Sequence, residues 1–488
     1  MAFFSFRRRR QPKEAPAQEP KKEKSGMESL KAGKLAKLAL DRTAKLISEL
    51  GPRVAGGQAS QDCARRLRED LGLFCDTTSL QEFQMRPGAF TGWLKIGVVL
   101  YPLVTLALWV GMPLTATVLC GLFGFLVFRE FICYRPWFEQ YYPEKTGCNV
   151  HGVQEPSGEV LRTIIFSGHH DSARLYRYNK LDKKNYFLKV GVPFGLLASL
   201  GLVSVLQLLV ELFSGRFLRL GLPPVPFIVL LALLTAASPL VFPLWKFLSD
   251  SASPGAGDNL ISSSMAVELA RFYASRRHRG EPLKHTRLVF ASFDAEEVGL
   301  RGSRQWFADN SHLYDAVVGN GWHFNFDCPY YADDLTFLVR DVNGMVRLSQ
   351  QMATGCVEIA KSMGYEAKSQ ALPFLAGGTD AAEGARAGLH AVTLTAIPWD
   401  DASKPAVYHT PQDLPGAIEP TMVEEALSIA IKFVDLLDAD KLSVDSPWTV
   451  PPEIPDAVNS ADKESDAPTS EDQKPLLPNL RFRRLSKR

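Results

Sequence analysis

The 488-residue sequence lacks a charge excess of either sign. It contains 55 Lys and Arg against 53 Asp and Glu, which gives a net charge of +2. A nucleic-acid-binding domain normally carries a one-sided basic excess, so this balance argues against nucleic acid as a partner. The basic residues are instead concentrated locally, at 7–10, 21–24 and 481–488. This distribution is typical of solvated tails or of segments near a membrane surface.

The sequence also lacks the signs of secretion. Its seven cysteines are odd in number and scattered, without the short spacings of a metal site, which predicts free thiols in a reducing compartment. Arg7 to Arg10 are followed by Pro, Lys and Glu, where a signal peptide would need an apolar core. The polar composition of the ends predicts disordered segments at 1–28 and 441–488.

Charged residues are missing from three long apolar runs, 96–128, 190–210 and 225–245. The first is longer than one helix needs to cross a hydrocarbon core of ~30 Å. Because Gly111-Met112-Pro113 supplies a turn, it predicts a helical hairpin with arms of about 15 residues, or else a core hairpin of a soluble domain. The other two runs predict membrane spans. None of the runs contains an ionisable residue, which argues against a transporter or channel.

The remaining sequence alternates predicted helices and strands. Helices are predicted at 27–50 and 60–71, and strands at 77–85, 147–153, 160–168, 287–293 and 391–397. This alternation is typical of an α/β domain. We predict that the domain consists of 29–95, 129–189 and 246–440, interrupted by hairpins at 96–128 and 190–245.

The distribution of basic residues predicts the orientation in the bilayer. Strands of one sheet must lie on one side of a membrane, so each insertion must cross it an even number of times. Arg216 and Arg219 lie between the last two runs, whereas nine basic residues flank the domain side. These nine are Lys95, Arg129, Arg135, Arg177, Lys180, Lys183, Lys184, Lys189 and Lys246. The excess predicts a multi-pass protein of the plasma membrane or a prokaryotic inner membrane, with the domain in the cytoplasm.

The strand predicted at 160–168 ends in polar residues that could bind a metal. His169 and Asp171 are two positions apart. In this arrangement the carboxylate can hold one imidazole nitrogen while the other nitrogen binds a metal. A structural hydrogen-bonded pair would give the same pattern.

Acidic residues lie next to two further predicted elements. Asp258 lies in the glycine-rich segment 253–259 before a predicted helix, where it could equally be a helix N-cap. Glu296 and Glu297 follow the strand predicted at 287–293. Two adjacent glutamates can divide the work, one binding a cation and the other taking a proton, although a solvated acidic turn would look the same.

Two more candidates, Asp327 and His409, follow an aromatic-rich strand and the strand predicted at 391–397. His323 and His390 are interpreted as ordinary packed or edge histidines. Two imidazoles and three carboxylates match what two zinc ions with a shared carboxylate require. The candidate set is His169, Asp258, Glu297, Asp327 and His409.

These motifs, in this order, resemble those of the M28 family of di-zinc peptidases, which includes aminopeptidase Y and bacterial leucyl aminopeptidases. The resemblance runs from about 46 to 437. It implies a three-layer α/β/α fold with a mostly parallel mixed sheet. It also implies that His169 and Asp327 hold one zinc ion, that Glu297 and His409 hold the other, and that Asp258 bridges them. Glu296 would be the general base, and Asp171 a second catalytic residue.

The resemblance predicts a membrane-anchored aminopeptidase that hydrolyses peptides with a water activated by two zinc ions. The alternative is a catalytically silent scaffold or partner-binding protein. All the ligands are present, which argues against the single-zinc glutaminyl cyclases of the same fold. The family often has Ser-Asp-His where this sequence has Gly378 to Ala381, and this difference concerns the substrate class.

Overall fold

The computed structural model describes residues 26–178, 183–215, 220–317, 319–399, 403–405 and 407–442. Most of the two segments predicted to be disordered, 1–28 and 441–488, therefore lies outside the described residues. The same holds for Lys180, Arg216 and Arg219, which entered the prediction of orientation.

Nine strands of the described residues form one mixed sheet. In chain order the strands are β1 Thr77–Met85, β2 Lys145–Gln154, β3 Arg162–His169, β4 Arg174–Tyr176, β5 Leu248–Ala252, β6 Thr286–Phe293, β7 Gly321–Pro329, β8 Thr336–Asp341, β9 Val346–Arg347, β10 Lys368–Ala371 and β11 His390–Ala396. The sheet order is β1, β2, β6, β3, β7, β11, β8, β10, with β9 paired to β8, while β4 pairs with β5 separately. The four central strands, β6, β3, β7 and β11, are parallel. This confirms the predicted fold class.

Helices cover both faces of the sheet. In chain order the helices of the described residues are α1 Gly26–Leu50, α2 Gln58–Gly72, α3 Gly88–Trp109, α4 Pro113–Val127, α5 Lys183–Tyr186, α6 Val192–Phe213, α7 Val225–Ala237, α8 Ile261–His278, α9 Arg301–Asp309, α10 Gln350–Ser362, α11 Ala381–Arg386 and α12 Pro420–Asp438. Helices α1, α2, α8, α10 and α12 contribute to the core on one face, and α9 and α11 lie on the other. The domain therefore has three layers.

The central strand β3 shows why both faces are covered. Ile164 and Phe166 belong to the core on the α8 side, whereas Ile165 belongs to the core on the α9 side. Successive side chains of a strand point to opposite faces, so a continuous apolar run buries both. The Phe166 ring packs between Phe290 and Phe326, with centroids 6.1 Å away in both cases.

The two insertions contain four helical segments that are long and apolar enough to cross a membrane. They are Gly88–Trp109, Pro113–Ile132, Phe187–Phe213 and Val225–Lys246, with 20 to 27 residues each. The second and fourth end in irregular helical turns, Phe128–Ile132 and Ser238–Lys246. The first two segments form a helical hairpin, and α4 also packs against α6.

The arms of the first hairpin are longer than the 15 residues that its charge-free length predicts. Helix α3 begins at Gly88 and continues through Lys95. The Lys95 Nζ lies 5.7 Å from the centre of the Trp245 ring. A lysine near a helix end can lay its apolar stem along neighbouring side chains, so one charge need not interrupt the helix.

Strand pairing shows that each insertion returns to the sheet it left. Strand β1 precedes the first hairpin and pairs with β2, which follows it. Strand β3 precedes the second hairpin and pairs with β6, which follows it. Both ends of each hairpin therefore lie on the same side of any membrane that the hairpins cross.

A buried ion pair fixes the first hairpin to the domain. Arg301, at the start of α9, lies 3.2 Å from Glu130, in the turn that follows α4, and 2.6 Å from Glu139. A side chain on Gly299 would collide with Phe90 of α3, at 2.8 Å. The loop between β6 and α9 is therefore packed directly against the hairpin.

Candidate metal centre

The candidate ligands converge at one edge of the sheet. His169 is the last residue of β3, and Glu296 and Glu297 follow β6. Asp327 lies near the end of β7, and His409 lies in the loop after β11. Because these four strands are parallel neighbours, their carboxyl ends meet at the same edge, where α/β sheets commonly bind ligands.

His169 is held by Asp171, as its spacing predicts. The imidazole Nδ1 lies 3.3 Å from Asp171 Oδ1 and 3.2 Å from the Asp171 carbonyl oxygen. The opposite nitrogen, Nε2, lies 3.4 Å from Asp258 Oδ1 and 3.7 Å from Glu296 Oε2. The second nitrogen is therefore turned toward the carboxylates.

Asp171 also holds the loop that carries the two glutamates. Its carboxylate accepts hydrogen bonds from the backbone N–H of Glu296, at 3.1 Å, and of Glu297, at 3.2 Å. One buried carboxylate thus positions His169 and both glutamates together. The spacing in the sequence indicates only the contact between Asp171 and His169. The contact with the glutamate loop cannot be recognised in this way, because that loop lies more than 120 residues further along the chain.

Asp258 lies between the two candidate histidines. Its Oδ1 is 3.4 Å from His169 Nε2, and its Oδ2 is 3.0 Å from His409 Nε2. The same His409 nitrogen lies 3.3 Å from Glu297 Oε2. A carboxylate oxygen of Asp327 lies within 4.8 Å of an imidazole nitrogen of His169 and of a carboxylate oxygen of Glu296. All five candidate ligands are thus brought together.

The structural alternatives for the acidic residues do not match the geometry. Helix α8 has Leu260 as its N-cap and no side-chain capping hydrogen bond, so Asp258 is not a cap. Its side chain is buried. Glu296 is 8% exposed, so the pair with Glu297 is not a solvated turn.

Two supporting residues were assigned no function from the sequence. Asp413 accepts hydrogen bonds from the backbone N–H of Gly257, at 2.8 Å, and of Asp258, at 3.2 Å. Buried Arg53 donates to the carbonyl oxygens of His170, at 2.7 Å, and Gly255, at 2.8 Å. These contacts hold the Asp258 turn against the end of β3. Their partners are distant in sequence, so no local pattern indicates them.

Other polar residues lie beside the site. Cys328 offers a sulfur within 4.8 Å of carboxylate oxygens of Asp258 and Asp327, which cysteine spacing did not reveal. Asp380 is fully buried, and burial raises its pKa to about 7.

His323 is a packed histidine as predicted, since it is buried and its Nε2 lies 2.6 Å from the Ser167 hydroxyl. The His390 ring packs against that of Trp322 in a tilted arrangement, with centroids 4.7 Å apart.

The site holds more negative charge than its own cations neutralise. Burial raises the pKa values of Glu296 and Asp327 well above those usual for a carboxyl group, and it raises the pKa of Glu297 to about 7. Burial disfavours the charged form of His169 too, but Glu296 and Asp171 outweigh it and raise the pKa of the imidazole. Crowded carboxylates of this kind become stable in the charged form when a divalent cation lies among them.

Unpaired polar atoms show that the residues fit zinc. His169 Nε2, Asp258 Oδ2, Glu297 Oε1 and His409 Nε2 are buried and make no hydrogen bond within the described part of the chain. Buried polar atoms in proteins are nearly always paired. Imidazole nitrogens and carboxylate oxygens at short mutual distances are the ligands of catalytic zinc. The donor set is therefore suited to hold zinc.

Comparisons with known proteins gave one family match and several similar solved structures. Residues 245–434 match the model of peptidase family M28. The chain is similar to a zinc aminopeptidase from Bacillus subtilis, at 14% identity and a TM-score of 0.45, covering 82% of this chain and 95% of that one. It is also similar to an aminopeptidase from Aneurinibacillus sp. strain AM-1, at 14% identity and a TM-score of 0.47, covering 83% of this chain and 96% of that one. A third similar structure is a glutaminyl cyclase from Bacteroides thetaiotaomicron, at 13% identity and a TM-score of 0.46, covering 82% of this chain and 97% of that one. No curated protein matches.

The matched segment and the rest of the site complement each other. Residues 245–434 contain Asp258, Glu296, Glu297, Asp327 and His409. The pairing of β3 with β6 and β7 adds His169 from outside the matched segment. Residues 245–434, which carry all of the candidate ligands except His169, match peptidase family M28.

Proposed function

We propose that the chain is a membrane-anchored aminopeptidase that uses two zinc ions. The observation that supports this most is the position of Asp258 between His169 Nε2 and His409 Nε2, at 3.4 and 3.0 Å. A carboxylate between two imidazoles is the arrangement that a pair of metal ions with a bridging ligand requires. The alternative of a silent scaffold would not need this set of buried, mutually oriented ligands.

The chain's own residues have distinct roles in this proposal. His169 and Asp327 would hold one zinc ion, Glu297 and His409 the other, and Asp258 both. When bound, zinc supplies Lewis acidity, which polarises the scissile carbonyl and lowers the pKa of a water.

Glu296 is the proposed general base, because it reaches the centre without belonging to the proposed ligand set. Its carboxylate takes a proton from the attacking water and returns it to the leaving amine. Asp171 acts by positioning, since it holds His169 through its side chain and the Glu296 and Glu297 backbone through their N–H groups.

A metal assay combined with a peptide panel tests the function. The detergent-purified chain is expected to contain about two zinc ions and to cleave peptides with a free amino terminus but not their N-acetylated counterparts. Removing zinc with a chelator should abolish cleavage, and adding zinc should restore it. A peptide with an N-terminal glutamine is included in the panel. Ammonia release from it without peptide cleavage would indicate a cyclase, and absence of zinc binding would indicate a scaffold.

We also propose that the four apolar segments cross the membrane and that the domain is cytoplasmic. The excess of basic residues on the domain side supports this orientation. A cysteine introduced at Leu220, which is exposed between α6 and α7, should react with an impermeant maleimide in intact cells. A cysteine at exposed Lys184 should react only after permeabilisation. The parent chain controls for its seven native cysteines. Labelling at Lys184 in intact cells would contradict the orientation.

A further inference from the structure

A large cavity connects the metal centre with the hydrophobic helices. Its volume is about 810 Å³. At one end it is lined by Glu297 and His409, two of the proposed zinc ligands. At the other end it is lined by Trp93 of α3, Gly124 of α4 and Phe194 of α6. The space is large enough for several side chains of a peptide.

The wall away from the metal centre is built from three of the candidate membrane spans. The Trp93 ring lies 6.5 Å from that of Phe123 and 5.8 Å from that of Phe194, measured between centroids. Together these aromatic side chains present apolar surface toward the site. A polar peptide gains nothing from such a wall, whereas apolar side chains are stabilised by leaving water.

The same wall contains a hydrogen-bond donor that lacks a partner among the described residues. Trp93 is 6% exposed, and its indole Nε1 has no hydrogen-bond partner in the described part of the chain. A buried N–H without a partner is unfavourable, and tryptophan normally finds one. A peptide carbonyl in the cavity would supply the missing acceptor. This combination of apolar surface and an unpartnered donor suits an apolar peptide better than a hydrocarbon chain.

From the cavity and its walls we propose that the substrates are peptides whose first several residues are apolar, and that these peptides reach the metal centre from the bilayer. This inference rests on the proposed peptidase function and names its substrate class. The residues after the scissile bond lie along the walls formed by α3, α4 and α6. The membrane helices then serve as part of the substrate site as well as an anchor.

The test compares two peptides that begin with the same leucine. In one the next seven residues are apolar, and in the other they are polar. The full chain, in lipid nanodiscs with zinc, is expected to show a kcat/KM at least about tenfold higher for the apolar peptide, since each well-buried apolar group contributes on this scale. Equal values for the two peptides would overturn the inference.

Two glycines of α4 provide a matched pair of variants. A Cβ atom added at either Gly121 or Gly124 would meet no atom within 4 Å, so both positions have room for a side chain to begin without displacing the backbone. Gly124 lines the cavity and Gly121 does not. Gly124→Phe should therefore reduce the preference for the apolar peptide, whereas Gly121→Phe should leave it unchanged. Equal behaviour of the two variants would overturn the inference.

A binding measurement separates this inference from the proposed function. A fluorescently labelled apolar peptide is titrated against Glu296→Gln, alone and combined with either glycine variant. If the combination with Gly124→Phe binds the peptide more weakly and the combination with Gly121→Phe does not, the cavity is supported as the peptide site. This conclusion holds even if the wild-type chain cleaves no peptide. Absence of cleavage would overturn the peptidase function alone. If Glu296→Gln binds the peptide equally well when combined with Gly124→Phe and with Gly121→Phe, the cavity is a space filled by lipid, and the inference would be overturned.

Discussion

Replacing Glu296 by glutamine is expected to lower kcat/KM for peptide hydrolysis by about 10² or more, the usual scale for loss of a general base. Glutamine has nearly the same shape but cannot accept the proton from the attacking water. The loop should stay in place, because Asp171 holds it through the backbone N–H of residue 296. The measurement is steady-state kinetics and zinc content on the same preparation, and the zinc content should not change.

The adjacent Glu297 provides the control. Its Oε2 lies 3.3 Å from His409 Nε2, so Glu297→Gln should weaken zinc binding, and excess zinc should partly restore its activity. Excess zinc should not restore Glu296→Gln. A Glu296→Gln chain that kept both its zinc and its rate would show that another group is the base.

Asp258→Asn is expected to have the largest effect on zinc. Asp258 faces both His169 and His409, so the substitution removes a charged ligand from both proposed metal positions. Zinc affinity should fall by more than about 100-fold, the upper end of what changes in outer-shell residues cost. Hydrolysis should be lost at zinc concentrations that saturate the wild-type chain. Competition with a zinc chelator measures the affinity.

Two further Asp-to-Asn variants give this experiment a scale. Asp413 contacts the backbone of Gly257 and Asp258 rather than the centre, so Asp413→Asn should reduce zinc affinity by about 10-fold to 100-fold. Asp250 is exposed on β5, and its substitution should have no effect. Retention of full zinc affinity by Asp258→Asn would refute the bridging role.

Local patterns were sufficient for much of the domain. The strand predicted at 77–85 has these bounds in the structure, and the helix predicted at 27–50 differs by one residue. Periodicity and terminating residues depend on neighbours in sequence, which is why they can be read without a fold. The hairpin arms were underestimated because a charge-free run ends at Lys95, whereas α3 passes through it.

The five candidate ligands were identifiable for a similar reason. Four of them follow or lie near the end of an apolar strand, as His169 does at the end of β3, and Asp258 lies in a glycine-rich turn before a helix. Parallel strands bring such ends to one edge of the sheet. The order of the motifs then indicated the M28 family, which the match of residues 245–434 supports.

The sequence by itself thus determined the fold class and indicated a family and a set of candidate ligands, because these depend on short patterns and on their order. Only the tertiary structure decided how the ligands are held. The bonds from Asp171 to the backbone of Glu296 and Glu297 join segments about 125 residues apart, and no periodicity records such a contact. The same is true of the cavity between His409 and Trp93, because its walls come from helices whose apolar sequences indicate burial or lipid without specifying what they face.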